Sequence, residues 1–212
     1  MNDNPWEEIY YRDGHVFTDI PRVIPKFANL LEQNGLVGSR LLDVGCGNGR
    51  MLIYFSQSGY QVTGFDSSPS ALQLSREWLA REKLPGDVFQ ADSRYVFPFP
   101  DNSFDVLIST QVIHHALLDT VLFTIGEITR VVVPDGFILI TVPEFEETNT
   151  SDKKWEEIER HTFIPLSGTE KGLPHHLFTP DEFKASFPAF ELIFLGEDGH
   201  RHMALIGRKK NI

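Results

Sequence analysis

Only one cysteine, Cys46, occurs in the 212 residues, which excludes an internal disulfide and any zinc site built from a cysteine cluster. Long hydrophobic runs are missing too, and no apolar stretch approaches the ~18 residues needed to span a bilayer. Positive charge is scarce. The 19 Lys and Arg stand against 30 Asp and Glu, a formal net charge of −11, and the one locally basic segment is Arg208-Lys209-Lys210. A broad phosphate-binding face, the usual footprint of a nucleic-acid partner, is therefore not expected. The opening residues MNDNPWEEIY are polar and acidic, unlike a signal or transit peptide, so a cytoplasmic protein without a membrane partner is expected. Repeats and low-complexity tracts are absent as well. With 41% hydrophobic and 23% charged residues the composition is that of a globular protein, and the length fits a single domain over residues 1–212.

Against this background the run Leu41–Arg50, LLDVGCGNGR, stands out as a short apolar strand breaking into a glycine-rich turn that opens a helix. Asp43 near the strand's end is a carboxylate that needs a donor if buried. Gly45, Gly47 and Gly49 permit positive φ and leave no Cβ to obstruct a ligand, while Cys46 supplies a small filler between them. The following strand, Tyr60 to Phe65, ends at Asp66, 23 residues after Asp43. That is close to the ~20-residue spacing between a nucleotide-binding turn and a ribose-reading acid. Taken singly, Asp43 reads equally as a turn carboxylate, and Asp66 as an acid favoured by the next helix dipole.

Strands and helices alternate through the first two-thirds of the chain. Val23, Phe27, Leu30 and Leu31 recur at helical spacing, as do Met51, Leu52 and Phe55. Ser68-Pro69 opens a further helix with Ala71, Leu74 and Trp78 as its expected buried stripe. Asp87–Gln90 and Phe104–Ile108 read as strands, and Val121, Ile125, Ile128 and Val132 as a helix between Phe104–Ile108 and the nearly continuous apolar strand Phe137–Val142. Residues 143–178 lose the rhythm and read as an irregular insertion, the expected substrate lid. A capped helix from Thr179-Pro180 follows, with Phe183 and Phe187 inward, then an antiparallel hairpin of Glu191–Leu195 and His202–Gly207. The expected fold is a doubly wound, Rossmann-like α/β sandwich: a mostly parallel seven-stranded sheet with a C-terminal hairpin.

The glycine turn is G-x-G-x-G rather than the dinucleotide G-x-G-x-x-G, and with Asp66, ADSRYVFPFPDNSFDVLIST and RVVVPDGFILITV it resembles the class I S-adenosylmethionine (SAM)-dependent methyltransferases of the methyltransferase type 11 family. The resemblance covers roughly residues 41–142. It implies SAM as cofactor and S-adenosylhomocysteine as product. It also implies that Asp43, Gly45, Gly47 and Gly49 line the methionine and ribose portion. Asp66 with Ser67 takes the ribose, Asp92 with Ser93 the adenine, and Thr110 with Gln111 the sulfonium amino acid. Pro134-Asp135-Gly136 departs from the family's usual Pro-Gly-Gly at a turn away from these residues. Arg50 receives no role.

The acceptor end is expected among the histidines. His114 and His115 follow the fourth strand, where an imidazole suits a base removing a proton from a hydroxyl or amine, or else simply caps the next helix. Trp6, Tyr11, Trp155, His175 and His176 are the candidates for a cover over the substrate, with Trp6 and Tyr10 equally readable as anchors of the terminus. No carboxylate or cysteine lies at ligand spacing from the histidines, so no metal is expected. A small-molecule acceptor is the first reading. A methyltransferase acting on transfer RNA, whose family shares the Ile113-His114-His115 segment, and a SAM-binding subunit without its own activity are the alternatives. No local motif specifies the accepting atom or an oligomeric state.

Overall fold

The structure is a computed structural model and describes residues 4–146 and 154–211. Its centre is a seven-stranded sheet in the order β3-β2-β1-β4-β5-β10-β9. The strands are β1 (Arg40–Val44), β2 (Gln61–Asp66), β3 (Asp87–Gln90), β4 (Phe104–Thr110), β5 (Val132–Val142), β9 (Phe190–Glu197) and β10 (Met203–Lys209). The first five run parallel, and β10 lies antiparallel between β5 and β9. Strand direction of travel reverses between β1 and β4, which places the ligand crevice at their carboxyl ends.

Why the sheet is buried on both faces follows from its period of two. Leu41, Val106, Leu139 and Ile206 pack on one side with Phe27 and Leu31 of α2 (Val23–Gln33) and Leu52 and Phe55 of α3 (Arg50–Gln57). Leu42, Leu107, Ile138, Ile140 and Leu205 pack on the other with Val121, Ile125 and Ile128 of α5 (Leu118–Val131) and Phe183 of α6 (Pro180–Ala185). Helix α4 (Pro69–Glu82) begins as its sequence predicts: the Ser68 hydroxyl accepts from the Ala71 amide at 3.0 Å with Pro69 at the first position. Its buried stripe is shifted from the expected one. Ala71, Leu72, Ser75 and Leu79 are buried, while Leu74 is half-buried and Trp78 instead stacks edge-on with His15 at 5.3 Å.

Three stretches differ from the sequence reading. Residues 5–13 form a helix, α1 (Pro5–Asp13), capped by Asn4. Strand β5 starts at Val132, so Pro134-Asp135-Gly136 lies within it at a register shift rather than before it. Within the expected irregular insertion, β6 (Trp155–Glu159), β7 (Thr162–Pro165) and β8 (His175–His176) form a separate antiparallel sheet. Residues 147–153, with Glu147, Asn149, Ser151, Asp152 and Lys153 of that insertion, lie outside the described residues. The small sheet is joined to the core: the His176 amide donates to the His114 carbonyl at 2.8 Å, and Glu159 accepts from the uncapped Leu118 amide of α5 at 2.6 Å. Among the described residues no helix is long and apolar enough to cross a membrane.

Candidate functional site

At the carboxyl ends of β1, β2 and β4 the chain leaves a cavity of about 570 Å³, within the range of small-molecule sites. The glycine turn forms its floor. Gly45, Gly47 and Gly49 sit at φ of 72°, 53° and 89°, conformations that L side chains avoid. A Cβ on Gly45 would strike Val112, and one on Gly47 would strike the Tyr10 hydroxyl, so both glycines keep backbone bare at the cavity wall. Gly49 serves packing instead: a Cβ there would meet Ser75 of α4, and the residue does not line the cavity. Asp66 holds the turn in shape, accepting from the Gly47 amide and from the Ser68 amide, both at 2.9 Å. Burial raises its carboxyl above the ordinary range, and those amide donors work against the shift.

Asp43 is almost wholly buried, and its Oδ2 has no hydrogen-bond partner. Burial pushes its carboxyl up to about 7, with the charge of Arg50 opposing that rise and Asp66 adding to it. Arg50, at the start of α3, lines the same cavity and donates to the Asp19 carbonyl at 2.8 Å. A buried carboxylate with an open acceptor and a half-buried guanidinium lining the same cavity form the arrangement that a zwitterionic amino-acid group satisfies. Asp92 differs in character. Burial would raise its carboxyl, but Arg94 donates from its backbone at 2.9 Å and from its side chain at 2.6 Å, and holds it below the usual range.

Of the residues singled out from the sequence, all but Gly49, Tyr11 and His176 line this cavity. Tyr11 points to solvent at 82% exposure, and its neighbour Tyr10 turns inward over Gly47. Helical phase accounts for the exchange, since residues 5–13 are a helix and adjacent side chains lie 100° apart. Helix α1 is fastened above the cavity by Glu7, whose carboxylate accepts from the Ser68 hydroxyl, the Ser70 amide and the Ser70 hydroxyl at 2.6, 3.0 and 2.7 Å. Asn4 adds a bond to the Ser67 hydroxyl at 3.1 Å. His176 is fully buried in the small sheet, where its Nδ1 pairs with the Thr162 hydroxyl at 2.8 Å.

The opposite end of the cavity is aromatic and rich in imidazole. Ring centroids of His114 and His115 lie 3.8 Å apart, and His175 of β8 lies 4.8 Å from His115. Trp6 of α1 meets His115 edge-on at 4.8 Å, and Trp155 of β6 lies 5.2 Å from His175. Burial holds the His114 ring well below its ordinary value, and burial next to His175 takes His115 down to about 3, so both rings are neutral near pH 7. Gln111, at a φ of +62° just after β4, anchors its amide on Thr141 and donates its side chain to His202 Nδ1 at 3.1 Å. His202 comes from the β9–β10 connection, and Glu170 from the small-sheet segment. Neither, nor Arg50, carried a local sequence signal that would have selected it.

The seven-stranded sheet with its cleft at the carboxyl ends of β1, β2 and β4 is the class I methyltransferase fold. Residues 42–140 match the family described as Methyltransferase domain. The 2-methyl-6-phytyl-1,4-hydroquinone methyltransferase of Synechocystis sp. is 38% identical over 193 residues, covering 87% of this chain and 53% of that protein. The malonyl-[acyl-carrier protein] O-methyltransferase of Serratia marcescens is 30% identical over 135 residues, covering 61% and 50%. The chain thus spans about half the length of the curated relatives it matches. Among solved structures, the PH0226 protein from Pyrococcus horikoshii OT3 superposes with a TM-score of 0.72 at 17% identity, covering 96% of this chain and 99% of that one. Over residues 42–140 the chain is thus similar to the methyltransferase type 11 family.

Proposed function

We propose that the protein transfers the methyl group of SAM to a small-molecule acceptor, leaving S-adenosylhomocysteine. The observation that supports this best is the division of one cavity into an end lined by the glycine turn and three acids and an end lined by imidazole and indole rings. Bound SAM supplies an electrophilic methyl on a good leaving group. The chain's task is then alignment and exclusion of water. Asp66 and Ser67 take the ribose hydroxyls, Asp92 and Ser93 the adenine, and the bare backbone of Gly45 and Gly47 admits the ligand closely. Thr110, Gln111, Asp43 and Arg50 face the amino-acid portion, Asp43 accepting from the ammonium and Arg50 donating to the carboxylate. Trp6 and Trp155 shut the acceptor end against water, and a neutral His114 or His115 accepts the acceptor's proton where one must leave.

A net charge of −11 and the enclosure of the histidine end favour a small molecule over RNA. The hydroquinone named for the Synechocystis relative fits an aromatic-walled end of this kind. Calorimetry with SAM and S-adenosylhomocysteine, on the wild type and on Asp66→Asn, tests the cofactor half. Two charge-assisted hydrogen bonds to ribose, each worth about 1.5–3 kcal/mol, predict a loss of roughly a hundredfold or more in the variant. Unchanged affinity in Asp66→Asn would remove the ribose role. Radiolabelled methyl transfer over a panel of phenols, quinols, thiols, amines and carboxylates tests the acceptor half. Tight SAM binding with no transfer to any acceptor, restored by adding a partner protein, would identify a non-catalytic subunit instead.

A further inference from the structure

The sequence spacing around the histidines argues against a metal, but the fold brings together what the sequence keeps apart. One ring nitrogen from each of His114, His115 and His175 lies within 4.8 Å of the other two. Imidazole nitrogens sharing a tetrahedral zinc at 2.0–2.1 Å stand about 3.4 Å apart, so side-chain rotation of about an ångström closes the set.

Three further observations point to a cation at this cluster. His114 is buried, and its Nδ1 has no hydrogen-bond partner. His175 has Nδ1 at 2.8 Å from the Leu173 carbonyl, which can only accept, so Nδ1 carries the hydrogen and a neutral ring presents its lone pair at Nε2. That Nε2 faces a Glu170 carboxylate oxygen at 3.1 Å. A lone pair set against a carboxylate at that distance is repulsive unless a cation or a proton lies between them. A ring N–H bound to a backbone carbonyl is also the usual outer contact of a metal-ligating histidine. Trp6 and Trp155 add an apolar wall around the set.

We propose that His114, His115 and His175 bind one zinc-type divalent cation, with the Glu170 carboxylate as fourth donor. Two imidazoles come from the loop after β4 and the remaining donors from the small-sheet segment. The ion therefore clasps that sheet onto the core at the acceptor end of the cavity. Imidazole with one carboxylate suits zinc, and cobalt as its spectroscopic substitute, better than magnesium or calcium. This site does not depend on the SAM-binding reading, since its ligands are separate from the residues assigned to SAM; a His114 or His115 nitrogen that holds the ion cannot also take the acceptor's proton, so at that nitrogen the two roles exclude each other.

The test uses the tag-free full chain, stripped with a chelator, gel-filtered and titrated with Zn²⁺ by calorimetry and with Co²⁺ by visible absorption. The expected result is one ion per chain, a tetrahedral cobalt spectrum and a raised thermal midpoint in the loaded protein. His175→Ala and His115→Asn should each weaken zinc binding roughly a hundredfold. His115→Asn does not touch the β8 hydrogen bonds, so an unaltered metal-free melting midpoint shows that its loss is not misfolding. Absence of stoichiometric uptake would overturn the proposal and leave a proton, not a metal, between His175 and Glu170. Uptake that persists unchanged in both variants would overturn it equally, by assigning the ion to other histidines such as His200 and His202.

Discussion

Replacing Asp43 with Asn should make the ligand-free protein more stable at alkaline pH and at the same time a poorer binder of SAM. The Asp43 carboxyl moves from 3.8 to about 7 on folding, with burial as the largest cause. A carboxyl that resists ionisation in the folded chain keeps its proton there while the unfolded chain has lost it. Between pH 4 and pH 7 folding therefore becomes progressively less favourable, and the whole penalty is present above about 7. Three pKa units correspond to roughly 4 kcal/mol. Asn has no charge to desolvate, so the difference in unfolding free energy between Asp43→Asn and wild type should rise by about 3–4 kcal/mol in the variant's favour from pH 4 to pH 8. Urea denaturation of both proteins across that range measures it, and taking the difference cancels groups common to both, such as Asp66. With saturating SAM present the variant's advantage should narrow, because a charge-assisted bond to the ligand's ammonium is lost, costing roughly tenfold or more in affinity and so about 1.4 kcal/mol or more of linked stability. A stability difference that stays flat from pH 4 to pH 8 would refute the reasoning about Asp43.

Gly47→Ala places a Cβ against the Tyr10 hydroxyl at a φ of 53°; a stability loss of about 1–2 kcal/mol and at least a tenfold drop in SAM affinity are expected, read by denaturation and calorimetry. Glu7→Ala removes the acceptor for three donors at the start of α4; about 1–3 kcal/mol should be lost, appearing chiefly as faster amide exchange across residues 5–13. Burial acts to raise the Glu7 carboxyl, but the Ser68 and Ser70 hydrogen bonds outweigh it and hold it below its usual value. The latch is therefore fully present above about pH 4.5 and lost as pH falls through the lowered value, so wild-type protection factors in α1, corrected for the intrinsic pH dependence of exchange, should fall on acidification while those of the variant stay constant.

The parts of the fold that could be read from the sequence are those in which burial is recorded locally. Strands β1, β4 and β5 are buried on both faces and show as apolar runs, and the turn at 45–49 shows as glycine because its backbone occupies positive φ. Asp66 ends β2 and Asp92 lies two residues past the end of β3, places that the spacing locates. The small sheet leaves no hydrophobic period in the sequence because its strands are two to five residues long and β6 carries glutamates on an exposed side. Tyr10 and Tyr11 exchange places because a helix phase, not proximity to the cofactor turn, decides which one faces in. Arg50, Glu170 and His202 reach the cavity only through long-range packing. Whether His114 and His175 meet is likewise a property of topology, since β8 docks its backbone on the His114 carbonyl.

The antiparallel seating of β10 has a consequence for how the chain acquires its sheet during synthesis. Strand β5 finds its second neighbour only about sixty residues downstream, where Met203 comes to pair with Val142 and Arg208 with Phe137. At ribosomal rates of ~5–20 residues per second, that interval lasts roughly 3–12 s. Throughout it, β5 is an open apolar edge, already paired to β4 on one side and still lacking a partner on the other. The small sheet emerges inside this interval and docks on the loop after β4, so it cannot shield the open edge. Nascent chains stalled between residues 142 and 203 should therefore be the form of this protein that holdase chaperones retain longest.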